Sequence, residues 1–344
     1  MKDKKFLLYP VYFLLVLFII DKIFLIDFFR KDFIQPGNAM FYFQRNQLQE
    51  RIKNDPSLEK GNKKLAVALG DSRAYPFSEP GLSEKEKDNW IIYNFSSPQA
   101  VPMYSLMRYE RLIEDGIVPD LLYVAISPES FDDSKGAIYD PFMRLGMDEK
   151  FKKDYWDLIP WSARYDYILG KVFAFYGLKL DFKMLLDRYK YNRMSDYNPE
   201  FNEEVMILNL GKGEYLGYAT FANNESKLKK DAIRIKNIYL NRFVVDDTQF
   251  LFIEKLLALA EKKGTKVFLV WPRVYIDYRE SYRELGLDKH WWGKIKSLAN
   301  EYKAQAIDFN VESSCDIFND ASHQSIQCFT EQMNYIFDRY SELK

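Results

Sequence analysis

Two short stretches of this sequence hold residue types suited to nucleophilic chemistry. In LAVALGDSRAYPF, residues 65–77, an apolar run passes directly into Gly70, Asp71 and Ser72 with no polar turn between. A serine hydroxyl is a poor nucleophile until a base takes its proton, and histidine is the usual base. The chain has 2 histidines, His290 and His323. His290 sits beside Trp291 and Trp292 in LDKHWWGK, with only Asp288 near it, and reads as a structural or interface residue. His323 sits in IFNDASHQS, preceded by Asp320. That D-x-x-H spacing lets the carboxylate fold back onto the imidazole, fixing its tautomer and supporting the cation formed when a proton is taken. Singly, Ser72 is a turn serine and Asp320 a helix cap. Together with His323 they read as nucleophile, orienting acid and base.

The elements that must bring these residues together are short apolar strands alternating with helices. Strands are expected at Leu65–Leu69, Trp90–Tyr93, Leu121–Ile126, Lys266–Val270 and Ala306–Phe309. Pro102 opens a helix that stops at Gly116, with proline in the first turn and glycine past the last. Asp247 and Thr248 cap a helix that ends at Gly264, and another helix covers about 291–303. A last amphipathic helix places Ile326, Phe329, Met333, Ile336 and Tyr340 on one stripe. The pattern implies an α/β fold, a parallel sheet covered on both faces. In such a sheet reacting groups gather at the C-terminal strand ends, where Ser72 lies.

The alternation breaks between about 131 and 245. This segment is rich in Tyr, Phe, Asp and Lys and holds NLGKGEYLGYATF. It reads as an insertion or lid over the strand ends, mostly helical with one small hairpin, simple bulk being the alternative. The expected organisation is residues 1–30 as a membrane anchor, 31–63 as a linker with a short helix near Ala39–Lys53, and 64–130 with 246–344 as the α/β domain.

Composition narrows the function classes. With 49 basic and 50 acidic residues the net charge is −1, which gives no long-range pull on nucleic acid. Aromatic residues make up 17% of the chain, suited to membrane contact, a groove for a greasy or sugar-like substrate, or core filling. Two histidines and two cysteines cannot build a zinc cluster at finger-like spacing. There is no nucleotide loop, dinucleotide fingerprint or readable carboxylate pair, so kinase, dehydrogenase and glycosidase readings have no support, and no cofactor or metal is implied. Cys315 and Cys328 bracket the Asp320–His323 segment. A disulfide there would steady it outside the cytoplasm, and two buried thiols are the alternative.

At the N-terminus, Lys2, Lys4 and Lys5 precede an apolar run from Phe6 to Ile20, and a second run, Ile23 to Phe29, follows Asp21 and Lys22. No small-residue cleavage site follows, which points away from a signal peptide. The first run would be about 22 Å long as helix, against a hydrocarbon core of about 30 Å, with Lys22 snorkelling to the interface. The expectation is an uncleaved membrane helix, with the N-terminus cytoplasmic and the main domain periplasmic or extracellular.

Gly70-Asp71-Ser72 after the first strand, paired with Asp320-Ala321-Ser322-His323 before the final helix, resembles the SGNH (GDSL-like) hydrolase superfamily. The anchor and the insertion are most similar to its surface-polymer branch, which includes the alginate O-acetylation proteins and the teichoic-acid D-alanylation protein. The resemblance implies a three-layer, flavodoxin-like α/β sandwich with Ser72 as nucleophile, His323 as base and Asp320 as its orienting acid. It also implies an esterase or O-acyltransferase working through an acyl-serine on a cell-surface glycan or lipid, served by a membrane-bound acyl donor protein if it is a transferase. Two positions depart from the family. Where the superfamily has an oxyanion-hole glycine this chain has Ser96, and the third strand end, AISPESF, lacks the asparagine. Backbone N–H groups of Ser72 and Ser96, with Asn94 or Ser127 as side-chain donors, are the candidates instead; losing one such donor costs about 10²–10³ in turnover. Arg73, which replaces the usual leucine, and Arg273 in VWPRVY are candidates for binding an anionic substrate group. The departures also allow a non-catalytic scaffold that binds a polymer or an assembly partner. Gly70-Asp71-Ser72-Arg73-Ala74 loosely fits an α/β-hydrolase elbow as well, although that fold places several strands before its nucleophile.

Overall fold

The structure, a computed structural model, describes residues 8–26, 37–59, 63–132, 146–176, 212–214 and 219–343, with Phe6, Leu186, Tyr189 and Lys190. Its centre is a sheet of strands β1 (Lys64–Gly70), β2 (Trp90–Asn94), β3 (Leu121–Ala125), β4 (Lys266–Trp271) and β5 (Gln305–Asp308). All neighbours are parallel and the spatial order is β2-β1-β3-β4-β5. Strands one and three are adjacent and the chain winds outward from them in both directions. This order leaves a crevice at their C-terminal ends.

Alternation along each strand feeds two cores. On one face Val67, Leu69, Ile91, Tyr93, Leu122, Val124, Leu269 and Trp271 are buried. They meet helices α3 (Pro102–Glu114), α6 (Asp247–Lys263), α7 (Ile276–Glu284) and α8 (Trp291–Glu301). On the other face Ala66, Ala68, Ile92, Tyr123, Phe268 and Val270 meet Phe329, Met333, Ile336 and Phe337 of the final helix, α9 (Phe329–Glu342). The small side chains of β1 leave space there for Phe77 to stack on Tyr123, with centroids 4.4 Å apart.

The expected strands and helices are present with small shifts at their ends. Pro102 stands in the first turn of α3, and Gly116 beyond its end has φ +79°. The cap of α6 is Asp246, one residue before the expected pair, and its carboxylate accepts from Thr248 N at 2.8 Å. Ile326–Cys328 forms a separate 3-10 turn, so the final helix starts at Phe329. In the stretch read as a linker, helix α2 (Gly37–Lys53) spans 17 residues, and its Tyr42, Leu48 and Ile52 join the first core. These three leave water with the sheet-covering helices, on a face of α2 that also buries Gln44, Arg45 and Gln49, with Arg45 Nε donating to Ser96 O at 2.7 Å.

The two ends of the insertion meet: Asp132 and Val245 form an antiparallel bridge, and Asp246 N donates to Phe131 O at 2.6 Å. Its described parts include α4 (Trp161–Val172) and α5 (Glu225–Ile235). The hairpin expected in NLGKGEYLGYATF lies largely outside the described residues.

At the N-terminus, α1 (Tyr9–Ile23) has 15 residues. No helix of the described residues is long and apolar enough to cross a membrane, so the expected span is not met by α1 as it stands. Asp21 and Lys22, which interrupt the apolar run, hold α1 to the segment after α4. The Asp21 carboxylate accepts from Ala174 N at 3.0 Å and Phe175 N at 2.9 Å, while Lys22 Nζ donates to Val172 O.

Candidate active site

Ser72 is aimed by the end of β1. Gly70 has φ +111°, and a Cβ there would lie 2.1 Å from Ala125 O. Glycine is therefore required both by the backbone conformation and by the close approach of β3. The chain then turns at once: the Asp71 carboxylate accepts from Arg73 N at 2.9 Å and caps a 3-10 turn over Ser72–Ala74. The hydroxyl is left at the crevice between β1 and β3.

His323 arrives from the other end of the chain. The loop after Asn319 closes on itself through the Asp320 carboxylate, which accepts from Ser322 N at 2.8 Å, Ser322 Oγ at 3.0 Å and His323 N at 2.9 Å. Both Asp320 oxygens lie 2.9 Å from His323 Nδ1. The other ring nitrogen, Nε2, lies 2.9 Å from Ser72 Oγ. A carboxylate can only accept, so Nδ1 carries the proton and Nε2 is free to accept from the serine. Burial alone would raise the Asp320 pKa. The imidazole beside it and the hydrogen bonds from Ser322 outweigh burial and hold the carboxyl well below the usual range. The arrangement can remove a proton from Ser72 and stabilise the imidazolium that results.

The disulfide between Cys315 and Cys328 forms, with Cα atoms 5.5 Å apart, and it brackets the Asp320–His323 loop. Gln324 extends the support: its Nε2 donates to Cys315 O at 2.6 Å, and its Oε1 accepts from Gln332 Nε2 of α9.

The oxyanion-hole candidates are occupied elsewhere. Asn94 Nδ2 donates to the carbonyls of Ala74, Tyr75 and Phe77 at 2.7, 3.2 and 3.0 Å. Ser96 donates from N and Oγ to Asn94 Oδ1 at 3.0 and 2.5 Å. Ser127 Oγ donates to Asp71 Oδ2 at 3.0 Å. None of the three lines the cavity at Ser72. These donors shape the turn that follows the serine, because a strand-end position says nothing about where its side chain points.

Arg73 is buried and borders the cavity at Ser72, but its guanidinium is held by protein groups. Its Nη2 lies 2.8 Å from Glu129 Oε1, its Nη1 3.5 Å from Asp71 Oδ2, and its Nε donates to Ser322 O at 3.1 Å. Tyr278 and Tyr282 of α7 donate to the same Glu129 oxygen at 2.6 and 2.7 Å. Burial would raise the Glu129 pKa, but the Arg73 guanidinium and the two phenols bring it down to about 2. One buried ion pair thus ties the serine turn, the β3 loop, α7 and the histidine loop together. Sequence reasoning missed Glu129, Tyr278 and Tyr282; the i, i+4 spacing of the tyrosines was the available signal. Arg273 borders the cavity as well, and its guanidinium is held by Ser313 O and by Asp316, 2.5 Å away.

The cavity beside Ser72 and His323 is walled by Pro76, Pro272, Arg273 and Phe329 and measures about 10 Å³, room for little more than a water molecule. Ala219 of the insertion is part of its lining and has φ +56°, with its carbonyl accepting from Ile326 N at 3.0 Å. Among the described residues no group of three or more His, Cys, Asp or Glu is placed to hold a metal.

No curated protein matches the chain. Among solved structures it is similar to one from Bacteroides fragilis provisionally described as an acylhydrolase, at 11% identity and a TM-score of 0.36. That likeness covers 82% of this chain and 88% of the other. Residues 1–340 match the family described as protein of unknown function DUF1574, and the chain belongs to that family.

Proposed function

We propose that this protein is an SGNH-type serine esterase or O-acyltransferase that cleaves a carboxylic ester through an acyl-serine. The observation that carries this reading is the line Ser72 Oγ–His323 Nε2–Asp320, each contact 2.9 Å long. In the first half-reaction Ser72 Oγ attacks the ester carbonyl carbon and its proton passes to His323 Nε2. The departing alkoxide takes that proton, leaving the acyl group on Ser72. In the second half a water or an acceptor hydroxyl attacks the acyl carbon and gives its proton to Nε2, and Ser72 Oγ leaves and recovers it. Ser72 N–H, at the start of a 3-10 turn where the first donors lack intrahelical acceptors, serves the oxyanion. Substrate entry needs a wall of the cavity to move, and in this reading Ala219, which the insertion contributes to that wall, marks the lid.

The substrate in this reading is an acylated or hydroxyl-bearing glycan or lipid of the cell envelope, with the enzyme held at the membrane by its N-terminal apolar helix and facing outward. The test is fluorophosphonate labelling together with turnover of a short acyl ester. Wild type labels and turns over, and Ser72→Ala does neither while staying folded. A second reading, an SGNH-fold scaffold for a polymer, is favoured by the engagement of Asn94, Ser96 and Ser127. Unlabelled Ser72 in a protein that binds glycan would establish it.

A further inference from the structure

Helix α1 is apolar and exposed around its whole circumference. Every residue from Val11 to Ile20, almost three turns, presents its side chain outward. A helix apolar on all sides belongs inside a large core or in lipid. A protein groove would cover one face and leave the other in water, so the occupant that fits every side is hydrocarbon. The helix is held to the segment after α4. Besides the Asp21 and Lys22 bonds to residues 172–175, Phe18 packs edge-on to Phe173 and Phe24 lies 5.1 Å from Phe175.

The same junction leads into a second apolar surface. Helix α4 turns Ala163 and Gly170 inward and leaves Trp161, Tyr165, Ile168 and Val172 outward, one stripe at spacings of four, three and four. Trp161 is 69% and Tyr165 51% exposed. Phe173, Phe175 and Tyr176 continue the stripe to the base of α1. Trp161 and Tyr165 at the start of this stripe, and Lys171 and Lys22 at its junction with α1, are the residue types that settle at the headgroup level of a bilayer.

We infer that α1 and the outer stripe of α4 form one continuous lipid-contacting surface, with α1 entering the hydrocarbon of a phospholipid bilayer and α4 lying in its headgroup layer. The domain is then not tethered but seated. Its orientation to the membrane is fixed by the α1–α4 junction, and the insertion that carries α4 and borders the cavity at Ser72 is in contact with lipid. This rests on the membrane reading above, adds α4 and the fixed orientation to it, and does not depend on Ser72 reacting.

The test uses the full chain with a thiol-reactive, polarity-sensitive fluorophore at Tyr165→Cys, and separately at Ile168→Cys in case the first variant does not fold. Both native cysteines are bonded to each other, so the added thiol is the one that reacts. The probe is a suspension of vesicles of phosphatidylethanolamine and phosphatidylglycerol in equal parts. The expected result is a blue-shifted, brighter emission on adding vesicles, quenched by headgroup-proximal nitroxide lipids more than by deep ones. Trp161→Asp/Ile168→Asp should weaken vesicle binding by about tenfold or more. Emission that stays aqueous while the chain sediments with vesicles would show α1 acting alone and overturn the proposal. So would failure to sediment at all, or a label shielded without vesicles in a chain that runs as a dimer. Fluorophosphonate labelling of the same samples reports separately on Ser72.

Discussion

Ser72 Oγ and His323 Nε2 lie 2.9 Å apart although 251 residues separate them. The contact exists because β1 ends at the crevice and the Asp320 loop folds the imidazole back toward it. If the imidazole works as a base oriented by that carboxylate, Asp320→Asn leaves the fold intact but favours the wrong tautomer. Turnover of an acyl ester should fall by about 10⁴, with KM little changed. A drop of less than tenfold would mean that the carboxylate does not orient the base.

Glu129 predicts a pH dependence of stability. Its pKa is about 2 in the folded chain against an ordinary 4.5. A depressed folded-state pKa stabilises above the unfolded value and is lost as pH falls through the folded one. The contribution, on the order of 3 kcal/mol at neutral pH, therefore fades between about pH 5 and pH 2. Glu129→Gln leaves the buried Arg73 with only the more distant Asp71 carboxylate and should cost about 3–5 kcal/mol at pH 7. Denaturant titrations should show the gap between the variant and wild type narrowing through the acid range. A gap constant with pH would place the shift elsewhere.

Parts of this site were legible in the sequence, and parts were not, for physical reasons. The strand run into Gly70-Asp71-Ser72 and the D-x-x-H loop are local patterns, and with 2 histidines in the chain the partner of Ser72 could be found by elimination. Of the Arg73–Glu129–Tyr278–Tyr282 cluster only the i, i+4 tyrosines left a local trace, because it joins three segments, each ordinary alone. Asn94 and Ser96 were placed at the right strand end, but that their donors are spent on the turn after Ser72 and on each other was not legible, since position along a chain does not give side-chain direction. Asp21 and Lys22 read as charges interrupting an apolar run. Their partners are about 150 residues away in sequence, beyond any local pattern.

The Cys315–Cys328 bridge links residues 13 apart in sequence and closes a loop around Asp320 and His323. Closing a loop of that size is worth about 3 kcal/mol. Cys315→Ser/Cys328→Ser should lower stability by that order and reduce kcat more than it raises KM, because Gln324 then holds the histidine loop without help from the crosslink. Thermal melts and ester turnover, each with and without a reductant on wild type, check this. A variant with unchanged kcat would show that the hydrogen bonds of the Asp320 loop suffice.

Asn94 decides between a chemical and a structural role for the end of β2. Were its amide an oxyanion donor, Asn94→Ala would lower turnover by about 10²–10³ with little loss of stability. Its Nδ2 instead satisfies the carbonyls of Ala74, Tyr75 and Phe77, and its Oδ1 takes both donors of Ser96. Removing the side chain strands several buried polar groups at about 1–3 kcal/mol each. Asn94→Ala should therefore lower the unfolding free energy by several kcal/mol, measured by urea titration. At a temperature where it remains folded, it should keep turnover within about tenfold of wild type, because the Ser72 N–H does not depend on it. Asn94→Asp should be worse still, since it points an anion at those three carbonyls, and its loss should again appear first in the melt.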